Sequence, residues 1–234
     1  MKGSENKAPE QGGFMNTRRM ILNQKSSFAA QEAYRTLRTN VRFAVNSNGC
    51  KKICITSGTA GEGKSITFLN FAISVAEAGQ KVLLIDADLR RPALARLLVE
   101  KATPGLSNVL AGLVEPEETI HKDVYENLDV IFSGDVPPNP SELLSGERMQ
   151  QMIEKLSHYY DYILVDTPPV NIVSDACVVA NLLDGVLLLV RQDSTKKDEV
   201  KRAVTRLQLT GAKLLGYILN DASLQKQKDY SYYG

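Results

Sequence analysis

The sequence predicts an α/β fold with a mainly parallel sheet and helices on both of its faces. Short apolar runs of strand type fall at residues 51–57, 81–86, 128–133, 162–166, 185–190 and 214–219. Segments with helical periodicity lie between most of these runs, and this alternation is typical of parallel strands joined by crossover helices. The third observation is a glycine-rich segment at residues 58–65, which separates the first strand from an apolar helical run.

The glycine-rich segment has the full pattern G-x-x-x-x-G-K-S and predicts a phosphate-binding loop, and with it a P-loop NTPase fold. Its glycines let backbone amides surround a phosphate chain, and the next helix points its positive end at the same anion. Lys64 adds a charge, and Ser65 offers a hydroxyl to Mg²⁺. The expected ligand is therefore ATP with Mg²⁺. The candidate nucleotide-binding residues in and after the loop are Gly58, Thr59, Ala60, Gly61, Glu62, Gly63, Lys64, Ser65 and Ile66.

Aspartates end two of the predicted strands. Asp86 and Asp88 belong to the run 86–92 after the second strand, and Asp166 ends the strand at 162–166 in a Walker B arrangement. Carboxyl ends of parallel strands share one edge of the sheet, so these side chains should face the phosphate loop. An aspartate at a single strand end is more often a turn former or a helix cap. Two such ends beside one phosphate loop favour a metal site, in which Ser65, Asp88 and Asp166 support Mg²⁺ and Asp86 is free for another role.

Composition limits the partners. The chain has 234 residues, of which 28 are basic and 27 acidic, so no overall field favours nucleic acid. Three scattered cysteines predict neither a disulfide framework nor a zinc site and suggest a reducing compartment. No apolar stretch approaches the ~20 residues of a membrane span. We expect a cytoplasmic protein that reaches the inner face of the membrane only through a partner.

Three regions are predicted. Residues 1–27 are polar and are expected to form a flexible arm, 28–222 form the P-loop domain, and 223–234 form a polar tail. The proline-rich segment 136–141 is expected to be a rigid, non-helical loop. The tail carries Tyr230, Tyr232 and Tyr233, which bury nothing and should be accessible. The alternative interpretation is that this C-terminal tail is an ordinary chain end and that its tyrosines have no role.

Residues 28–45 have the periodicity of an amphipathic helix at the start of the domain. The expected apolar side is formed by Ala29, Ala33, Leu37, Val41 and Ala44, and the expected charged side by Glu32, Arg35, Arg38 and Arg42. From these residues alone the charged side is a solvated surface.

Taken together, these motifs resemble those of the bacterial tyrosine kinases of capsule and exopolysaccharide systems. The phosphate loop, the D-x-D-x-R segment 86–90 and the strand ending at Asp166 are similar to that family's Walker A, A′ and B motifs, which a wider ATPase class shares. More specific are the E-x-x-R-x-x-R pattern at 32–38, the segment 137–144 and the terminal tyrosines. The resemblance spans nearly everything from residue 29 to 234. Ile66 departs from the usual G-K-S-T form, so we expect different packing under the loop.

The resemblance implies specific roles. Lys64 and Ser65 would bind ATP and Mg²⁺, Asp88 and Asp166 would support the metal, and Asp86 would accept the proton of a tyrosine hydroxyl. The helix with Glu32, Arg35 and Arg38 would join subunits into a ring, in which the C-terminal tyrosines of one subunit enter the active site of the next. Asn220 occupies the place where related ATPases hold adenine. Expected partners are a membrane activator of the polysaccharide co-polymerase type and a cognate phosphotyrosine phosphatase.

A phosphorylated tail carries about −1.5 to −2 charge per phosphate, and we expect a cleft lined by aspartates to repel it. The main alternative function is a partitioning or positioning ATPase that uses ATP-driven dimerisation as a switch. Such ATPases usually carry a signature lysine five positions before the main one, where this chain has Thr59. A regulatory subunit that only binds nucleotide is a further alternative, and the intact acidic and basic motif residues argue against it.

Overall fold

The computed structural model describes residues 20–47 and 49–222, and in this part of the chain seven strands form one sheet. The strands are β1 (Lys51–Ser57), β2 (Val82–Asp86), β3 (Ile120–Tyr125), β4 (Leu128–Ile131), β5 (Tyr162–Asp166), β6 (Gly185–Arg191) and β7 (Leu214–Asn220). Their order is β3-β4-β2-β5-β1-β6-β7, and every neighbouring pair is parallel except β3 and β4. The predicted α/β class is confirmed.

Helices cover both faces of the sheet. They are α1 (Phe28–Ala44), α2 (Lys64–Ala76), α3 (Leu94–Leu98), α4 (Leu106–Leu110), α5 (Pro140–Ser145), α6 (Glu147–Leu156), α7 (Asp175–Ala180) and α8 (Lys197–Leu209), with a 3₁₀ turn at Pro116–Thr119. One core lies under α2, where Phe68 and Phe71 are fully buried, and the other lies under α6, α7 and α8. The central strands β2 and β5 are buried along their whole length, as expected of a sheet covered on both sides.

One prediction about local structure was wrong, and one strand was missed. The segment 136–141 is not wholly a loop, because α5 begins at Pro140. Proline is well suited to the first helical position, where its missing N–H has no partner to lose. The edge strand β3 was not predicted, because its sequence has no apolar alternation and its residues are at most half-buried.

The predicted apolar side of helix α1 is confirmed at Leu37 and Val41, which pack towards α2, but not at its alanines. Val41 and Val45 are buried, and Tyr34 and Leu37 are partly buried against the same core. Ala29, Ala33 and Ala44, which were assigned to the apolar side, are exposed. Alanine offers little area to bury, so the larger side chains at i, i+3, i+7 and i+11 decide how the helix rotates.

The described end of the N-terminal arm is packed rather than free. Ile21 and Leu22 are buried, and the Leu22 amide donates to Asn70 Oδ1 at 2.8 Å. In return, Asn70 Nδ2 donates to the Met20 carbonyl at 2.9 Å. Residues 20–22 thus lie against α2, while 1–19 fall outside the described residues. No helix of the described ranges is long and apolar enough to cross a membrane.

Candidate active site

The phosphate loop runs from the end of β1 to the first turn of α2. Gly61 and Gly63 have φ values of 79° and 91°, which favour glycine. At Gly63 a Cβ atom would also lie 2.5 Å from Asn220 Nδ2. This position therefore requires glycine for two reasons, backbone conformation and the closeness of β7.

Side chains from distant elements support the loop. Asn220, at the end of β7, donates from Nδ2 to the Glu62 carbonyl at 2.8 Å. The Glu62 Oε1 atom accepts hydrogen bonds from Thr59 Oγ1 at 2.9 Å and from Thr195 Oγ1 at 2.5 Å. Asn220 thus lies beside the loop, and its contact with adenine stays a prediction. Thr195 was not identified from the sequence, because its loop meets the phosphate loop only in the folded chain.

Asp86 and Asp166 stand side by side under the loop. The two residues are paired in register on the neighbouring strands β2 and β5, and both are fully buried. Burial raises the pKa of the Asp86 carboxyl, and the charge of Asp166 raises it further. Burial also raises the pKa of Asp166, and the Lys64 ammonium offsets part of this shift. Ionisation of both carboxyls at the same time is therefore unfavourable unless more positive charge is brought to the site.

The carboxylate of Asp86 is engaged by backbone amides. Its Oδ2 accepts from the amides of Ala93 and Leu94 at 3.2 and 3.1 Å, and its Oδ1 accepts from the Asp88 amide at 3.3 Å. These bonds hold the turn between β2 and α3. Asp88, two residues further on, is the carboxylate that lines the adjoining cavity.

This cavity has a volume of about 610 Å³ and opens beside the loop. Lys64 and Ser65 line it together with Asp88 and other residues in and after the loop. The remaining lining residues are three arginines and six apolar residues, namely Arg90, Arg91, Arg96, Ala93, Leu97, Pro168, Pro169, Ile172 and Val173. The expectation of a cleft lined by aspartates was wrong, because Asp86 and Asp166 are buried beneath it and the described lining contains one carboxylate and four cations.

Arg90 is held by a residue that the sequence analysis missed. Its Nε donates to Asp175 Oδ2 at 2.8 Å, and its Nη2 donates to Ser141 Oγ at 2.9 Å. The Ser141 hydroxyl in turn donates to Asp175 Oδ1 at 2.6 Å. Asp175 is fully buried at the start of α7, so the D-x-D-x-R segment and the segment 137–144 meet at one buried carboxylate.

The residues fit a bound magnesium ion. Neither carboxylate oxygen of Asp166 has a hydrogen-bond partner, although both are buried. Orphaned buried oxygens are costly unless a cation satisfies them. Mg²⁺ prefers hard oxygen ligands and completes its shell with phosphate oxygens and waters. Ser65, Asp88 and Asp166 are therefore suitable supports.

The predicted interface residues lie apart from this cavity. Glu32 and Arg35 form an ion pair of 2.5 Å on the outer surface of α1. Arg38 is half-buried and donates to the Ser74 carbonyl of α2, so part of its hydrogen-bonding capacity is used within the subunit. Tyr230, Tyr232 and Tyr233 lie outside the described residues.

Comparisons with known proteins agree with this fold. A family model described as an AAA domain matches residues 50–197. The tyrosine-protein kinase YwqD of Bacillus subtilis is 41% identical over 203 residues, which are 87% of this chain and 86% of the relative. The solved kinase domain of the Escherichia coli tyrosine kinase Etk has 40% identity and a TM-score of 0.80, covering 86% of this chain and 79% of that one.

The fold and site define a P-loop nucleotide-binding enzyme. The comparisons narrow the class, and the chain belongs to the bacterial tyrosine-protein kinases. A more distant likeness is the septum site-determining protein MinD of Pyrococcus horikoshii, solved with Mg-ADP, with 27% identity and a TM-score of 0.62 over 73% of this chain and 70% of that chain. The predicted resemblance to the kinase family is confirmed.

Proposed function

We propose that this chain transfers the γ-phosphate of ATP to tyrosines in the C-terminal tails of neighbouring subunits. The observation that carries the proposal is the cavity, which joins the phosphate loop to an apolar wall. Pro168, Pro169 and Ile172 suit a phenol ring, while Lys64 and Ser65 suit the phosphates. Positioning and charge neutralisation are most of what phosphoryl transfer needs.

The loop amides and Lys64 would hold the phosphates, and Ser65, Asp88 and Asp166 would hold the metal. When bound, Mg²⁺ supplies positive charge that neutralises the phosphate oxygens. In the reaction the tyrosine oxygen forms a bond to the γ-phosphorus, the bond from that phosphorus to the β–γ bridging oxygen breaks, and ADP leaves. The phenolic proton passes to a carboxylate.

We assign to Asp86 the role of accepting this phenolic proton, as the resemblance to the kinase family implies. Its raised pKa means that Asp86 must first lose its own proton, which added positive charge at the site favours. Asp88 is the competing acceptor because it lines the cavity directly. Comparing the Asp86→Asn and Asp88→Asn variants distinguishes the two, since only loss of the base removes the rise of kcat/KM with pH that accompanies its deprotonation.

The wider setting is also part of the proposal. The exposed face of α1 with Glu32 and Arg35 would join subunits into a ring, with a membrane activator and a phosphatase as partners. The chain would then act in capsular or exopolysaccharide synthesis at the inner face of the membrane. The family membership supports this setting, and so does the accessibility of the α1 surface.

The test incubates purified protein with ATP and Mg²⁺ and maps phosphotyrosine by mass spectrometry, beside a Lys64→Ala control. Phosphate on Tyr230, Tyr232 or Tyr233 in the wild type alone supports the kinase. A chain that carries Lys64→Ala but keeps its tail is then mixed with an active chain without tail tyrosines. An unmodified tail on the Lys64→Ala chain would refute transfer between subunits.

A nucleotide-driven dimerisation switch is the second candidate, and the likeness to MinD favours it. Against it, the position of the signature lysine is Thr59, whose hydroxyl is bonded to Glu62. Steady ATP hydrolysis with nucleotide-dependent dimerisation and no phosphotyrosine would establish the switch instead.

A further inference from the structure

Two guanidinium groups at the cavity have no acidic partner in the described ranges. Arg91 follows the D-x-D-x-R segment, Arg96 lies on α3, and both are exposed while lining the same cavity. Arg90, between them and the loop, differs because Asp175 neutralises it. Unpaired arginines beside one another at a cavity wall repel, so an anion that bridges them is stabilising.

The nucleotide does not account for these two charges. The loop amides, Lys64 and a metal already serve the phosphate chain in P-loop enzymes. Arg96 also lines a second hollow of about 620 Å³, together with Glu100, Lys101 and His121. Arg96 is therefore shared by the two hollows, and the second one contains a carboxylate as well as basic side chains.

We propose that Arg91 and Arg96 form a subsite for a phosphotyrosine next to the tyrosine that receives phosphate. This inference rests on the proposed kinase function and names its preferred substrate, a peptide that is already phosphorylated close to the acceptor. A phosphotyrosine carries about −1.5 to −2 charge and three acceptor oxygens, which suit the forked donors of arginine better than a single carboxylate does.

The spacing of the chain's own tyrosines fits this arrangement. Tyr230, Tyr232 and Tyr233 lie within four residues, and two or three extended residues span roughly 7–10 Å. A cavity of about 610 Å³ is about 10 Å across if it is roughly spherical. One tyrosine can therefore lie at the phosphate loop while a phosphorylated neighbour contacts Arg91 and Arg96. Phosphorylation of the tail would then accelerate as it proceeds.

The experiment compares two peptides with the sequence of residues 229–234, one unmodified and one with phosphate on the tyrosine at position 232. The quantity measured is the ratio of kcat/KM for the phosphorylated peptide to that for the unmodified peptide. We expect a ratio of about ten or more, a factor equivalent to about 1.4 kcal/mol. The R91Q/R96Q double variant should reduce it to about one, while the R148Q control, on an exposed arginine of α6, should retain it.

Binding is measured separately by fluorescence anisotropy of the labelled phosphopeptide on protein loaded with a non-hydrolysable ATP analogue. We expect R91Q/R96Q to weaken this binding about tenfold or more. A wild-type ratio near one, or displacement of the peptide by an equal concentration of inorganic phosphate, would overturn the subsite. Failure to phosphorylate either peptide would instead refute the kinase proposal, and the anisotropy result would then decide the subsite alone.

Discussion

Replacing Asp166 by asparagine should stabilise the nucleotide-free protein. Asp86 and Asp166 are paired in register on parallel strands, which lie about 4.8 Å apart. Two unit charges about 5 Å apart repel by roughly 3 kcal/mol at an effective dielectric constant of about 20. Asparagine removes this repulsion, but it also removes the attraction between Asp166 and the buried Lys64 ammonium, so the net gain is smaller than the repulsion. We expect a gain of about 1–2 kcal/mol where both groups are ionised, or roughly 2–8 °C in Tm.

The gain should depend on pH. The pKa values of both carboxyls are raised in the folded protein, so the folded state binds more protons than the unfolded state above the ordinary carboxyl pKa of about 4. The free energy of unfolding is therefore largest at acid pH and falls as the pH rises through the raised values. Asp166→Asn removes one of the two groups, so the fall becomes shallower and the difference between variant and wild type grows with pH.

The assay is urea unfolding followed by far-UV circular dichroism from pH 5 to pH 9, without nucleotide and with EDTA. Glu154→Gln is the control, because it removes an exposed charge on α6 and should change stability by less than about 0.5 kcal/mol. A variant that is no more stable than the wild type at pH 9, or that keeps the wild-type slope, would refute the account of the paired carboxyls.

Other perturbations test the loop, the arginine support and the core. Gly63→Ala should lower stability and weaken ATP binding more than Gly61→Ala does. Both positions have positive φ, but only a Cβ atom at position 63 would contact Asn220. Calorimetric titration with ATP measures the binding, and equal effects of the two substitutions would contradict this reasoning. Asp175→Asn should cost about 1–3 kcal/mol in urea unfolding, since it leaves Arg90 without its buried partner, whereas Glu117→Gln, in the exposed ion pair with Lys155, should cost under about 1 kcal/mol. Phe68→Ala, in the fully buried core under α2, should cost about 3–5 kcal/mol in the same assay, and a smaller loss would mean that the core closes around the cavity.

Much of the architecture is visible in local patterns. All six predicted strands are present, with boundaries within two residues, because buried parallel strands are continuous apolar runs. Helix α1 was located well, but its packed face was predicted only in part, because alanine counts as apolar in a pattern and contributes little buried area. The edge strand β3 has no apolar pattern, since solvent covers much of it.

The candidate site divides in the same way. Lys64, Asp88 and the glycines belong to contiguous motifs whose chemistry depends on spacing alone, and they lie where expected. Asp175 and Thr195 act through residues far away in sequence, so no local signal marked them. The three backbone amides that donate to the Asp86 carboxylate could not be foreseen, and they make this carboxylate part of the turn.

By itself the sequence determined that this protein has a phosphate loop between strand and helix, and acidic residues at the ends of two strands. These features depend on residue type and spacing, which a linear chain already contains. Tertiary structure alone decided which charges meet the cavity. Because β2 and β5 are covered on both faces, Asp86 and Asp166 are buried in the sheet, while Arg91 and Arg96 follow the chain out to solvent. The solvent-accessible surface of the cavity is basic for that reason, although the aspartates of the motifs lie beneath it.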